Sequence, residues 1–288
     1  MFPFDQMGDC RPMLHSMRIF IALISLLIPI LPAMAAEKIE FGVGEYRITA
    51  QLYRPTGNGP FPAIVAMHGC GGLYDAAGRP HPHFAGWGEK LAAQGFAVLF
   101  PDSYGSRKQG AQCRVRARTV RAYRERVADA QAARNWLQTQ EWVQKDRVSL
   151  IGWSNGAMAT LWTVRPRAEV KDGHPDFRSA VALYPGCRRL AEREWSTRIP
   201  TLLLLGAADN WTPARDCEQM VAGASGRSAH AAIVKYRDAY HSFDRENLPV
   251  RELNGLAFTP DGSGRARIGG NAEARADALK RVPEWLKR

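Results

Sequence analysis

The chain has 288 residues, a 45% hydrophobic share and a formal net charge of +11. That length suits one large α/β domain with a sizeable core. No nucleic-acid module accompanies the charge and the arginines are spread along the chain, so the balance reads as a solvated basic surface, at most one that steers acidic substrates.

The first 35 residues read as a secretory signal. Ile19 to Leu31 is a mostly apolar run preceded by Arg18, and Ala33-Met34-Ala35 supplies a small-x-small cleavage pattern. The run is short for a membrane span and is broken by Pro29 and Pro32, so no span is expected after cleavage; the alternative is an uncleaved anchor. Asp5 and Asp9 are unusual so early in a signal, which makes Met13 or Met17 an alternative start. They balance Arg11 and Arg18, so the remaining domain, 36–288, keeps the full +11.

Residues 38–54 alternate loosely and predict a hairpin, and Gly57-Asn58-Gly59-Pro60 predicts a turn. The run 62–67 is apolar without alternation, as in a strand buried on both faces, and so is 96–100. Between them, 84–94 predicts an amphipathic helix ended by Gly95. Residues 116–138 give the longest helical pattern, with Val120, Tyr123, Val127, Ala130 and Leu137 on one face and arginines on a solvated one. Further strands are predicted at 147–151, 180–184, 200–205 and 231–236, and helices at 155–164, near 213–223 and at 271–287. Residues 247–270, rich in Gly, Arg and Pro, read as a long surface excursion. Strand and helix alternate with short links, which predicts a mostly parallel twisted sheet with helices on both faces and little or no cap domain.

In such a sheet, reactive groups gather at the carboxyl ends of strands. Val148 to Gly156 passes from an apolar strand through Gly152-Trp153-Ser154-Asn155-Gly156 into helix-forming residues, the context of a nucleophile elbow with Ser154 at its tip. Asp209 follows the 200–205 strand and is a candidate to orient an imidazole; it also suits a helix N-cap, with Asp216 as the fallback acid. His241 follows the 231–236 strand and titrates near neutrality, so it can take and return a proton. The order Ser, Asp, His is the one expected of this architecture. His68-Gly69-Cys70-Gly71-Gly72 follows the 62–67 strand. The backbone N–H groups of Cys70 and Asn155 are the candidate oxyanion hole, with His68 structural beneath the loop.

His81 and His83 read as loop histidines, because no acidic or thiol cluster supports a metal. Asp102 reads as a turn-former, and Trp153 and Trp211 as candidate apolar walls. Of the arginines between 107 and 126, only Arg107 and Arg114 come early enough to approach the mouth. Cys70, Cys113, Cys187 and Cys217 remain after the presequence, and in an exported chain they suggest two disulfides. Three pairings exist. Cys70–Cys113 would clamp the oxyanion loop to its neighbour, and Cys187–Cys217 would hold the Asp209 loop.

These motifs, with Pro101-Asp102-Ser103-Tyr104-Gly105-Ser106-Arg107, Gly206-Ala207-Ala208-Asp209 and Tyr240-His241-Ser242-Phe243, resemble the dienelactone hydrolase family of α/β-hydrolases in exported form. The resemblance runs from about Tyr53 to the C-terminus. It implies the α/β-hydrolase sheet, no cofactor, and hydrolysis of an ester or lactone through an acyl-enzyme. The chain departs at the nucleophile, since the founding members carry cysteine where Ser154 stands. The expectation is an exported serine hydrolase acting on a small-molecule ester or lactone. The alternatives are a peptidase of the same fold and a non-catalytic binding protein on the hydrolase scaffold.

Overall fold

The computed structural model describes residues 36–168 and 173–288, so the expected signal lies outside the described residues. Eight strands form one sheet: β1 (Glu37–Val43), β2 (Tyr46–Tyr53), β3 (Phe61–Met67), β4 (Ala97–Pro101), β5 (Val143–Trp153), β6 (Ala180–Leu183), β7 (Thr201–Gly206) and β8 (Ala231–Tyr236). Their order across the sheet is β1-β2-β4-β3-β5-β6-β7-β8. The β1–β2 hairpin and the β2–β4 pair are antiparallel, and every pair from β4 to β8 is parallel.

The central strands lack alternation because both of their faces are buried. Val65, Leu150 and Leu203 point into one core layer, with α2 (Glu125–Gln138), α3 (Asn155–Thr163) and α5 (Ala214–Ala222). Ile64, Ile151 and Leu204 point into the other, with α1 (Pro82–Ala93) and α6 (Ala272–Leu286). A short helix, α4 (Arg188–Ala191), follows β6. Among the described residues no helix is long and apolar enough to cross a membrane.

Two expectations need correction. The helix predicted over 116–138 begins only at Glu125. The Glu125 carboxylate accepts from the Arg121 backbone N–H at 2.9 Å and from its guanidinium, which folds the preceding chain into a turn. The buried stripe of α2 keeps the expected Ala130 and Leu137 but also takes in Arg126, Asp129, Arg134 and Gln138, beside Ala133. The excursion over 247–270 is likewise more than surface chain. It contains an antiparallel pair, β9 (Arg251–Leu253) and β10 (Ala266–Ile268), and buries Leu256, Ala257, Ala266 and Ile268.

In the turn from β5 into α3, two glycines lie directly against backbone. A Cβ on Gly156 would run into the Met67 carbonyl of the neighbouring strand, and one on Gly152 into the backbone of Gly156. Both obstacles are backbone, so neither can rotate away. Gly156→Ala is therefore expected to destabilise the protein by about 3 kcal/mol, the upper range for overpacking. A urea-unfolding midpoint equal to wild type would contradict it.

Candidate active site

Ser154 stands between β5 and α3 with φ 53° and ψ −115°, a left-handed backbone that side-chain-bearing residues rarely adopt. Its N–H donates to the Leu183 carbonyl at 2.9 Å, and its own carbonyl accepts from Met158 N–H at 2.9 Å. These bonds aim the side chain out of the carboxyl edge of the sheet. His241 lies on the loop after β8, and its Nε2 is 2.9 Å from Ser154 Oγ. Asp209 lies on the loop after β7, and its Oδ2 is 2.8 Å from His241 Nδ1. The structure thus brings the three predicted residues into one hydrogen-bonded chain, although Ser154 and His241 are 87 residues apart. Such a chain can move a proton from serine to imidazole and leave the imidazolium facing a carboxylate.

Asp209 faces the imidazole and is not the N-cap of α5, whose cap position is Pro213 without a side-chain bond; its other oxygen closes the turn before that helix. Oδ1 accepts from the backbone N–H groups of Trp211 and Thr212 at 2.8 and 2.9 Å, while Oδ2 faces the imidazole. The Thr212 hydroxyl donates to Oδ2 at 2.8 Å and lies 3.0 Å from His241 Nδ1, a contact no sequence motif announces. Asp216, the fallback, sits in the first turn of α5 beside Arg215. The imidazole of His241 packs between the rings of Tyr184 and Trp211, both with centroids at 4.6 Å.

The loop from His68 to Gly72 passes close to the serine, so that a Cβ on Gly69 would lie 3.7 Å from Ser154 Cβ. His68 is fully buried. Its Nδ1–H donates to the Gly69 carbonyl at 2.8 Å and its Nε2 accepts from Ser103 N–H at 3.3 Å. Burial, and then the charge of Arg126, hold its pKa well below the usual histidine range, so it is neutral and structural. Cys70 is joined to Cys113, and Cys187 to Cys217. The Cys70 carbonyl also accepts from Gln112 N–H at 2.7 Å, and the Cys113 carbonyl from Ala257 N–H at 3.0 Å. The loop is thus tied through the disulfide to the 247–270 excursion. Asn155 is the first residue of α3, where backbone N–H groups have no partner within the helix.

A cavity of about 140 Å³ opens at Ser154 and His241, with Cys70, Trp153, Trp211 and Ile268 among its walls. Both expected tryptophans line it. So do Leu253 and Ile268 of the excursion, which the sequence reading left on the surface. A second cavity, about 360 Å³, shares His81, His83 and Arg245 with the first and reaches Lys90 and Arg275. His81 ends the loop as the N-cap of α1, whereas His83 is not a loop residue and sits in the first turn of that helix with its side chain largely enclosed. Burial pushes His83 down to about 4. Among the described residues no group of three or more His, Cys, Asp or Glu could hold a metal ion.

Several charged residues behave differently from the sequence expectation. Arg107 does not approach the mouth; it is buried in an ion pair with Asp129 at 2.7 Å and donates to the Ser103 carbonyl at 2.8 Å. Arg114 lies instead against the excursion, donating to the Asn254 carbonyl at 3.1 Å. Arg126, assigned to a solvated face, is fully buried beneath the site. Asp102 is the turn-former expected, accepting from Gly105 N–H at 2.9 Å, and burial raises its pKa.

Asp244, three residues beyond His241, was not singled out by the sequence. Its buried carboxylate accepts from the indole N–H groups of Trp87 at 2.9 Å and Trp153 at 2.8 Å, and from the Tyr184 hydroxyl at 2.7 Å. It thereby ties α1, the residue before Ser154 and the end of β6 to the loop that carries His241. Desolvation and this carboxylate raise the Tyr184 phenol pKa well above its usual value, so the hydroxyl stays a donor.

Comparison with known proteins places this geometry. A curated relative, "Putative hydrolase YtaP" of Bacillus subtilis, is 26% identical over 117 residues; the match covers 36% of this chain and only 39% of that protein. Among solved structures, a dienelactone hydrolase-like promiscuous phosphotriesterase, P91, from metagenomic libraries superposes with a TM-score of 0.68 at 20% identity, over 88% of this chain and 98% of its own. The Pyrococcus furiosus esterase Pf2001 superposes with a TM-score of 0.60 at 15% identity, over 88% and 93%. At these identities the superpositions speak for the fold. The model of the dienelactone hydrolase family matches residues 48–288. With that match over most of its length and an eight-stranded sheet of the α/β-hydrolase kind, the chain belongs to the dienelactone hydrolase family.

Proposed function

We propose that this hydrolase is an exported serine enzyme that cleaves a carboxylic ester or lactone through an acyl-enzyme. The observation that carries the reading is the chain Asp209–His241–Ser154, with links of 2.8 and 2.9 Å, ending on a serine held at φ 53°. Ser154 Oγ attacks the carbonyl carbon while His241 Nε2 takes its proton. Asp209 holds the imidazolium, and the N–H groups of Cys70 and Asn155 donate to the oxyanion. The imidazolium then returns the proton to the leaving oxygen as its bond to carbon breaks. Water, deprotonated by His241, attacks the acyl-serine; the acyl carbon–Oγ bond breaks, the imidazolium returns the proton to Ser154 Oγ, and the acid is released. In a lactone the leaving oxygen stays tethered, and the product is one hydroxy acid.

Export is supported by two disulfides, which persist in oxidising compartments. On this reading residues 1–35 are a signal that is removed, and 36–288 act as a single domain. Serine in place of the founding members' cysteine favours general ester cleavage.

A fluorophosphonate probe tests the chemistry directly, because it reacts with an activated serine and not with an ordinary one. Labelling of wild type, mapped to Ser154, is expected, together with faster turnover of acetyl and butyryl aryl esters than of decanoyl ones, given a cavity of about 140 Å³. A protein that stays unlabelled and turns over no ester or lactone would be a binding scaffold instead.

A further inference from the structure

Arg126 lies in the first turn of α2 with its side chain wholly buried. A buried guanidinium ordinarily has a carboxylate against it, because an unpaired charge in a dry interior is strongly unfavourable. Among the described residues Arg126 instead hydrogen-bonds only to neutral oxygens, and the buried Asp102 carboxylate acts on it through space without an ion pair. Nη2 donates to the His68 carbonyl at 2.7 Å and Nη1 to Asn155 Oδ1 at 2.8 Å. Longer contacts of 3.4 Å run from Nε to Ser103 Oγ and from Nη1 to the Tyr104 hydroxyl. That hydroxyl donates to Asn155 Oδ1 at 2.8 Å, and the guanidinium carbon lies 5.1 Å from the centroid of the Tyr104 ring.

The two short bonds select two segments of chain. His68 opens the glycine loop that carries Cys70, and Asn155 opens α3. These are the segments whose N–H groups would receive the oxyanion; the β3–β5 pairing ends at Met67 and Gly152, and beyond it Gly156 packs against the Met67 and His68 carbonyls without a backbone hydrogen bond between the two segments. A planar guanidinium presents several donors in a fixed fork, so it can hold two acceptors at a set separation; a lysine ammonium is a compact point charge without that fork. We propose that Arg126 is the positioning residue of the oxyanion hole: one guanidinium grips both segments and fixes the separation of the Cys70 and Asn155 N–H groups. The inference rests on the reading of Ser154 as nucleophile and of these two amides as its hole.

Arg126→Gln and Arg126→Lys in the full chain are compared with wild type on a short acyl aryl ester and with an alkyl boronic acid, which becomes a tetrahedral anion on an active serine. Each variant is expected to lose ~100-fold in kcat, the scale of a lost oxyanion donor, with KM little changed. Boronate affinity should fall by the same factor. A residue that only packs would lower thermal stability without splitting kcat from KM. Tyr104→Phe carries the test if neither arginine variant folds. It removes the hydroxyl between Arg126 and Asn155 Oδ1, leaves the guanidinium in place, and is expected to show the same split at ~10-fold, a weaker share of the same effect.

A folded Arg126→Gln protein with wild-type kcat and boronate affinity overturns the inference and leaves the hydrolase reading standing, as does a Tyr104→Phe protein with wild-type kcat when it alone folds. Hydrogen exchange at 68–72 and 155–158 decides the clamp even in a protein without activity. If wild type is inactive and unlabelled, the hydrolase reading falls. Faster exchange in the variant at both segments then still supports the clamp, and unchanged exchange removes it.

Discussion

Ser154→Ala is expected to lower kcat on a short acyl aryl ester by about 10⁶-fold, the loss that follows removal of the nucleophile in serine hydrolases. The fold should survive, because the backbone of Ser154 makes the same two hydrogen bonds whatever its side chain. A companion substitution separates chemistry from strain. At φ 53° and ψ −115° a residue with a Cβ carries about 1–3 kcal/mol of backbone strain. Glycine removes that strain and loses about 0.5–1 kcal/mol of it to chain entropy. Ser154→Gly should therefore be equally inactive yet more stable, with a melting temperature higher by about 2–4 °C for a domain of this size. Calorimetry on the two variants checks this. A glycine variant less stable than the alanine one would show that the elbow is not strained, and full activity in either would remove Ser154 from the chemistry.

Asp209→Asn is expected to lower kcat by about 10⁴-fold while leaving the protein folded. The asymmetry comes from its two oxygens. Oδ1 accepts from Trp211 and Thr212 N–H groups, which an asparagine oxygen can still satisfy. The amide nitrogen then falls where Oδ2 was, facing His241 Nδ1. Two N–H groups cannot point at each other, so the imidazole must place its proton on Nε2, where it can no longer accept from Ser154. Asp209→Ala would lose the turn as well and should cost stability. Comparing kcat and unfolding midpoints across both variants tests the division. An Asn variant with near wild-type kcat would show that Asp209 only holds the turn at Trp211 and Thr212.

Much of this arrangement was legible in the sequence because it depends on position along strands. Apolar runs located β3, β4, β5, β7 and β8 to within a few residues; the first four runs are buried on both faces, and β8 is a half-buried edge strand. Ser154, Asp209, His241 and the Cys70 loop each follow such a run, and the carboxyl ends of parallel strands share one edge. What escaped was the polar chemistry under that edge. Arg126, Asp129 and Arg134 share the buried stripe of α2 with the expected Ala130 and Leu137, and a reading that sends every arginine to solvent misses them. The i, i+3, i+4 spacing of 126, 129, 130, 133, 134 and 137 held the signal, but only if charged residues are admitted to the stripe. Asp244, Thr212 and the inward turn of Leu253 and Ile268 depend on loops that meet in space, and no local pattern reports such meetings.

Asp244 also bears on how the molecule assembles. Its three donors lie 157, 91 and 60 residues away along the chain, so satisfying one carboxylate requires three long loops to close. Contacts of such range form late and slowly. A carboxylate enclosed with only some of its donors would be a poorly compensated buried charge, higher in free energy than either the finished pocket or one still open to water. Partly assembled forms are thereby disfavoured, and the region closes as a single cooperative event. That event brings the His241 loop against the residue preceding Ser154, so on the proposed assignment a growing or partly unfolded chain would hold its serine without a base until the C-terminal half docks.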